Sequence, residues 1–308
     1  MKNAFTNQAI YCKIFTYKKW QSNSGDETLK NNGVVRIKAY YPSFSHGEQK
    51  IADYMLANLD TIQRNTISEL ANNCHTSTAS ISRFVKRIGY SNYRDFLFNL
   101  ATTDKAPSSL TEMIEQRDTA ARITEKTFNG AINALQSTKA MLNERQLNQA
   151  VALISKAQRV TFFGLGGSSI VALNGYHKFL RTSLDCQYHP DFDIQMMQAV
   201  KMTKKECAII ISHSGENNQT VAIARRLHQQ RVPMIVISSS PDSSLAQLAE
   251  IRLISVAENI NERAENLSSL VAQLTIMDSL FLAVATEQAD ETAKVIDEVN
   301  QAINQTYK

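Results

Sequence analysis

The chain has 308 residues, 43% of them hydrophobic and 20% charged, with a formal net charge of +4. That length suggests two domains, because single domains cluster near about 100–150 residues, and the apolar content supports a sizeable core. No stretch reads as the roughly 20 consecutive apolar residues that span a bilayer, and Lys13, Lys18 and Lys19 interrupt the apolar-aromatic stretch at 10–20, so no signal peptide is expected. The four cysteines, Cys12, Cys74, Cys186 and Cys207, are scattered without CxxC spacing. This excludes a disulfide framework from the expectations and points to a reducing cytoplasm.

Charge is unevenly spread. Residues 1–100 hold 13 Lys/Arg against 7 Asp/Glu, whereas residues 150–308 hold 14 against 16. A polyanion partner would therefore meet the first hundred residues. Residues 1–33 lack a clean period and read as a poorly ordered extension. Beyond them, 34–105 reads as a small helical domain. Ser45-His46-Gly47-Glu48 has capping-box spacing, followed by Ile51, Met55 and Leu59 at helical intervals. Thr66-Ile67-Ser68-Glu69 is a second capping box opening a short helix. After a polar break, Ser77 can cap a further helix with Ile81, Phe84, Val85 and Ile88 on one face and Gly89 as its stop. Residues 91–100 give one more helix.

A short helix, a tight break and a second helix make a helix-turn-helix pattern. The outer face of the second helix shows Thr78, Ala79, Ser82, Arg83 and Lys86, and with Arg87 the helix carries three cations and no acid. In such motifs the amino-terminal part of the second helix enters the major groove. Ser77, Thr78, Ser82, Arg83, Lys86 and Arg87 are the candidate DNA-binding residues. Thr78, Ser82 and Arg83 would reach base edges, and Lys86 and Arg87 phosphates. A plain solvated amphipathic helix would show the same cationic face.

Residues 106–125, beginning near Pro107, read as a linker, and 126–308 as the second domain. There, strands expected at 160–163, 186–189, 207–212, 234–238 and 251–254 alternate with helices at 169–180, 194–201, 219–230 and 267–286. That alternation argues for a parallel sheet covered on both faces. Two loops carry the chemistry. Gly164-Leu165-Gly166-Gly167-Ser168-Ser169 follows the first strand, and Ser212-His213-Ser214-Gly215-Glu216-Asn217 the third. Glycines let the backbone approach a ligand, first-turn N–H groups point at it, and serine hydroxyls suit phosphate oxygens. The candidate ligand residues are Gly166, Ser168, Ser212, Ser214, Asn217 and Glu265.

Rival readings are a structural role for both loops as tight turns, and a dinucleotide site. Gly164-x-Gly166-x-x-Ser169 nearly matches GxGxxG, with Asp185 about 20 residues on, but Asp185 precedes its strand and would sit at the wrong sheet edge. Glu216, Glu262 and Glu265 could act as general bases near a sugar carbonyl. The six histidines lack metal-ligand spacing, and no metal or cofactor is expected. The 267–286 segment is apolar over so wide an arc that it is expected to be buried, in the core or against a second copy.

Ile67-Ser-Glu-Leu-Ala71, Ser77-Thr-Ala-Ser-Ile-Ser-Arg-Phe84 and Gly89-Tyr-Ser-Asn-Tyr-Arg-Asp-Phe96 resemble the amino-terminal domain of RpiR-type bacterial transcriptional regulators. The two serine loops and the 267–282 helix resemble their carboxyl-terminal SIS (sugar isomerase) domain. The resemblance runs from about Val34 nearly to the end. It implies a cytoplasmic, oligomeric regulator, a homodimer or homotetramer, that binds operator DNA and responds to a sugar phosphate. It also implies an α/β flavodoxin-like three-layer sandwich that senses rather than catalyses. Ser168, Ser212 and Ser214 match the family's phosphate-binding serines, and Arg83 the usual arginine of the recognition helix. Thr76, Asn217 and Ser238-Ser239 depart from the commoner apolar residue, Thr or Ser, and Thr-Asn. The alternative from another class is a SIS-type sugar-phosphate isomerase or hydrolase with an accessory front domain.

Overall fold

The computed structural model describes residues 33–101, 114–256 and 267–306. Residues 1–32, the start of the expected linker, and Glu262 and Glu265 lie outside the described residues.

The front domain is all-helical. Helices α1 (Gly33–Tyr40), α2 (His46–Ala57), α3 (Leu59–Ile62), α4 (Ile67–Asn73), α5 (Thr78–Arg87) and α6 (Tyr93–Ala101) follow one another, with a single 3-10 turn at Tyr41–Ser43. Both capping boxes form: the Ser45 amide donates to Glu48 Oε2 at 2.9 Å and the Thr66 amide to Glu69 Oε2 at 2.7 Å. Ser77 caps α5, its hydroxyl accepting from the Ser80 amide at 3.1 Å. The apolar faces of these helices meet in one core that buries Ile51, Met55, Leu70, Ile81, Phe84, Val85, Ile88 and Phe96. Helix α5 stops at Gly89, where φ is +93°. There the Arg36 guanidinium, over the Tyr90 ring, donates to the freed Ile88 carbonyl at 2.8 Å. A cation at a helix carboxyl end is favourable.

The second domain opens with α7 (Ala120–Met141), which already covers the end of the stretch read as linker, and α8 (Glu144–Lys156). Strands β1 (Val160–Phe163), β2 (Cys186–Tyr188), β3 (Cys207–Ser212), β4 (Met234–Ser238) and β5 (Ile251–Ile254) alternate with α9 (Ser168–Phe179), α10 (Phe192–Lys201) and α11 (Asn218–Gln229). Helices α12 (Leu267–Glu287) and α13 (Ala289–Gln305) close the chain. The sheet has five strands in the order β2-β1-β3-β4-β5, and every pairing is parallel. Alternation along β3 decides the layers. Ile209 and Ile211 face one core, with α8, α9 and α12, whereas Ala208 and Ile210 face the other, with α10 and α11. The result is a three-layer sandwich.

Helix α12 corrects one expectation. By length and composition it could cross a membrane, contrary to the reading that no stretch reaches that size. Its Ile276, Met277, Leu280 and Val284 are buried in the sheet-side core, which accounts for the wide apolar arc. Helix α13, amphipathic and polar outside, was not anticipated at all.

Candidate functional site

The strand order places the two serine loops. Strands β1 and β3 are neighbours, with Phe163 in register with Ile210. The crossover after β1 leaves toward β2 and the one after β3 toward β4, so the chain diverges between them. This is the topological switch point at which open parallel sheets form a crevice beyond the carboxyl ends of their strands. Both serine loops stand at that end. Asp185 stands at the opposite edge, ion-paired with Arg159 at 2.6 Å, where no ribose could reach it together with the glycines.

In the first loop Gly166 takes φ +56°. Gly164 must lack a side chain, because a Cβ there would meet the Ser168 carbonyl oxygen at 2.6 Å. The buried Gln195 fixes this loop from β2's side, its amide donating to the Gly164 carbonyl at 3.0 Å and the His189 carbonyl at 2.6 Å. Ser168 opens α9 half-buried.

The second loop folds on its own serines. The Gly215 amide donates to Ser212 Oγ at 3.2 Å and the Glu216 amide to Ser214 Oγ at 3.2 Å. These two amides are thus engaged within the loop. A hydroxyl that accepts in this way keeps its own proton to donate. Ser212 is buried and Ser214 exposed. Asn217 is the amino-terminal cap of α11, its Oδ1 accepting from the Thr220 amide at 3.0 Å, which leaves its NH2 group for a ligand. Glu216, a candidate general base by sequence, instead accepts from the Ser244 amide at 2.8 Å and hydroxyl at 2.7 Å.

Gly215 has φ +68°, and a Cβ added there would lie 2.2 Å from Ser243 Oγ. Gly215→Ala is therefore expected to destabilise the second domain by about 1–3 kcal/mol from backbone strain alone. Gly47→Ala, where a Cβ meets nothing within 4 Å, should be neutral or slightly stabilising. Denaturant melts of both variants check this.

Below the second loop lies a serine network that sequence reasoning missed, apart from noting Ser239. His213 Nδ1 is 2.8 Å from Ser269 Oγ and 3.0 Å from Ser239 Oγ. Ser239 Oγ reaches Ser255 Oγ at 2.8 Å, and the Gln273 amide donates to Ser255 Oγ at 3.2 Å. The network ties the ends of β3, β4 and β5 to the start of α12. No local spacing could reveal it, because its members are brought together only by the parallel sheet. Burial pushes the His213 imidazole below its ordinary value of 6.5. The unfolded chain therefore binds this proton more readily than the folded one. Stability from this group is present above pH 6.5 and is lost as pH falls through the lowered folded value. The melting temperature of His213→Gln should consequently fall less than the parent's between pH 7 and about pH 5; equal losses would refute the assignment.

Helix α5 turns most of the candidate DNA-binding residues outward. Ser77, Thr78, Arg83 and Lys86 are exposed and Ser82 half-buried. The Arg83 guanidinium lies 3.3 Å from Ser80 Oγ. Arg87 behaves differently. It is half-buried between two carboxylates, 2.5 Å from Glu48 and 3.2 Å from Asp242, and lies over the Phe44 ring. Its charge is met within the protein rather than offered to a phosphate. Burial raises the Glu48 carboxyl, but hydrogen bonds from Arg87 and Ser45 outweigh that and hold it below the usual carboxylate range.

Residues 31–107 match the model of the helix-turn-helix domain of the rpiR family, and residues 153–283 that of the SIS domain. An HTH-type transcriptional regulator of Caldanaerobacter subterraneus is 30% identical over 269 residues, covering 87% of this chain and 95% of that protein. HexR of Escherichia coli, also an HTH-type transcriptional regulator, is 25% identical, covering 89% of this chain and 95% of its own. Among solved structures, NanR of Vibrio vulnificus complexed with ManNAc-6P superposes with a TM-score of 0.56 at 23% identity, over 89% of this chain and 99% of that one. A helix-turn-helix head joined to such a sandwich defines a class of bacterial transcriptional regulators. The chain belongs to the rpiR family of that class, with a carboxyl-terminal SIS domain.

Proposed function

We propose that the protein binds operator DNA through α5 and a phosphorylated sugar through the two serine loops, and that the second event adjusts the first. One observation carries the reading: both loops rise from adjacent parallel strands at the switch-point crevice. Ser168, Ser212, Ser214 and the Asn217 amide would meet the phosphate, with Gly166 allowing close approach, and Glu265 is kept as a candidate ligand residue. Thr78, Ser82 and Arg83 would read bases, Lys86 would meet phosphate, and Ser77 would hold the helix entry in place. The ManNAc-6P complex of NanR lends the ligand class support by likeness of fold.

The same reading makes the protein a cytoplasmic sensor rather than an enzyme. The Glu216 carboxylate is occupied by Ser244, which disfavours it as a base. Self-association belongs to the proposal too, because two-fold operators need two heads about one DNA turn apart. The apolar arc of α12 is largely consumed by its own core. Helices α7 and α9, which pack on α12, expose Phe128 and Ile132, and Ile170 and Leu173, to a second copy. Light scattering at micromolar protein should give a dimer or tetramer, and a strict monomer would reject this part.

Thermal-shift screening of aldose, ketose and amino-sugar phosphates against their dephosphorylated forms tests the ligand class. A ligand at a hundred times its Kd stabilises by about 2.7 kcal/mol. Stabilisation by phosphorylated sugars alone, without turnover, is expected. Turnover of any of them would favour the isomerase reading.

A further inference from the structure

Arg87 is the last residue of the recognition helix, yet it faces the second domain. Its Nη1 donates to Glu48 Oε2 at 2.5 Å and its Nη2 to the Ser43 carbonyl at 2.8 Å. Glu48 and Ser43 belong to the head, so they hold the guanidinium in a fixed pose. That pose is completed from the other domain: Nη2 and Nε donate to Asp242 Oδ2 at 3.2 and 3.4 Å, and the Ser43 hydroxyl, shared with the Tyr40 carbonyl at 2.8 Å, reaches the same oxygen at 3.2 Å. A small apolar seam, Val35 and Ala39 against Ile254 and Val256, lies between the same domains.

Asp242 sits in the segment between β4 and β5, and this segment is bound to the second serine loop. Ser243 fills the space beside Gly215. The Ser244 amide and hydroxyl donate to the Glu216 carboxylate, and the Leu245 amide donates to the Gly215 carbonyl at 3.1 Å. Within four consecutive residues, one side grips the recognition helix and the other grips the candidate phosphate loop. A rearrangement of Gly215 or Glu216 would disturb the contacts of Ser243 and Ser244, and through the chain those of Asp242. The Arg87 and Asp242 side chains are 31% and 34% exposed, so their pairing is screened and weak enough to open.

We propose that Ser43, Arg87 and Asp242 form a latch through which the state of the second serine loop reaches the recognition helix. The inference rests on the phosphosugar reading for its trigger, though the mechanical link stands on the contacts alone. The printed partners of the Asp242 carboxylate are Ser43 and Arg87 rather than Ser168, Ser212 or Ser214, and Asp242→Asn keeps its size while removing the charge that Arg87 holds.

Two measurements on the full chain test it. Hydrogen exchange of Asp242→Asn against the parent, without ligand, is expected to rise both at residues 84–90 and in the loop at 212–217. A rise confined to the head would overturn the link. In the second, anisotropy with a duplex selected from a random pool by the parent is measured with and without ManNAc-6P. The parent's Kd is expected to shift by about fivefold or more, the usual lower range of coupling, and that of Asp242→Asn by less than about twofold. ManNAc-6P affinity should stay within about threefold of the parent, since the direct ligand contacts remain. Ser43→Ala, which removes the hydroxyl shared by Asp242, the Tyr40 carbonyl and Arg87 but keeps the Arg87–Asp242 pair, should lie between. An undiminished shift in Asp242→Asn overturns the latch. A parent that shows neither thermal nor anisotropy response to any phosphosugar overturns the phosphosugar reading instead, and the exchange experiment then decides the latch by itself.

Discussion

Ser214→Ala is expected to weaken phosphosugar binding by about 1.5–3 kcal/mol, roughly tenfold to a hundredfold in Kd, the usual loss for a hydrogen bond to a charged group. The Ser214 hydroxyl is exposed at the switch-point crevice and accepts from the Glu216 amide, which leaves its proton for a phosphate oxygen. The fold should tolerate the change, because the Gly215 amide is held separately by Ser212. Titration calorimetry with the best phosphosugar of the thermal screen reads the effect directly. Asn217→Thr is the companion. It trades one capping side chain for another and offers a hydroxyl in place of an amide, so affinity should be kept or improved. Parent-like binding by Ser214→Ala would reduce the second loop to a structural turn.

Arg83→Ala and Lys86→Ala should fail in different ways. Both side chains are exposed on the acid-free face of α5. An arginine that reads a base edge contributes about 1–3 kcal/mol of discrimination, so its loss should weaken selected duplex far more than random duplex. Loss of a phosphate contact should weaken both alike and reduce the slope of log K against log salt by about 0.9. Isotherms on both duplexes at several salt concentrations separate the two. Unchanged affinity in both variants would remove α5 from the groove.

Much of the architecture was legible in the sequence because its signals are local. The two capping boxes, the Ser77 cap and the Gly89 stop form as read, since each needs only residues three or four apart. The strands Val160–Phe163, Cys207–Ser212, Met234–Ser238 and Ile251–Ile254 have the expected bounds, because short buried apolar runs between polar turns admit little else. What was missed is non-local. The expected phosphate contact of Arg87 was inferred from its position on a cationic helix, and only the packing of the domains brings Asp242 beside it. The His213, Ser239, Ser255, Ser269 and Gln273 network joins residues up to about sixty apart in the chain. Helix α12 has the length and apolar composition of a membrane span, yet here its apolar side chains pack on the sheet.

Occupation of the switch-point crevice is expected to change DNA binding. Fluorescence anisotropy of the parent protein on its selected duplex, titrated with the phosphosugar that stabilises it most, tests this most directly. Coupling between two sites on one protein commonly spans about 5–150-fold, and a shift of duplex Kd in that range, absent with the dephosphorylated sugar, is the expected result. A phosphosugar that is bound and turned over while duplex affinity stays constant would contradict the account and make the sandwich an enzyme.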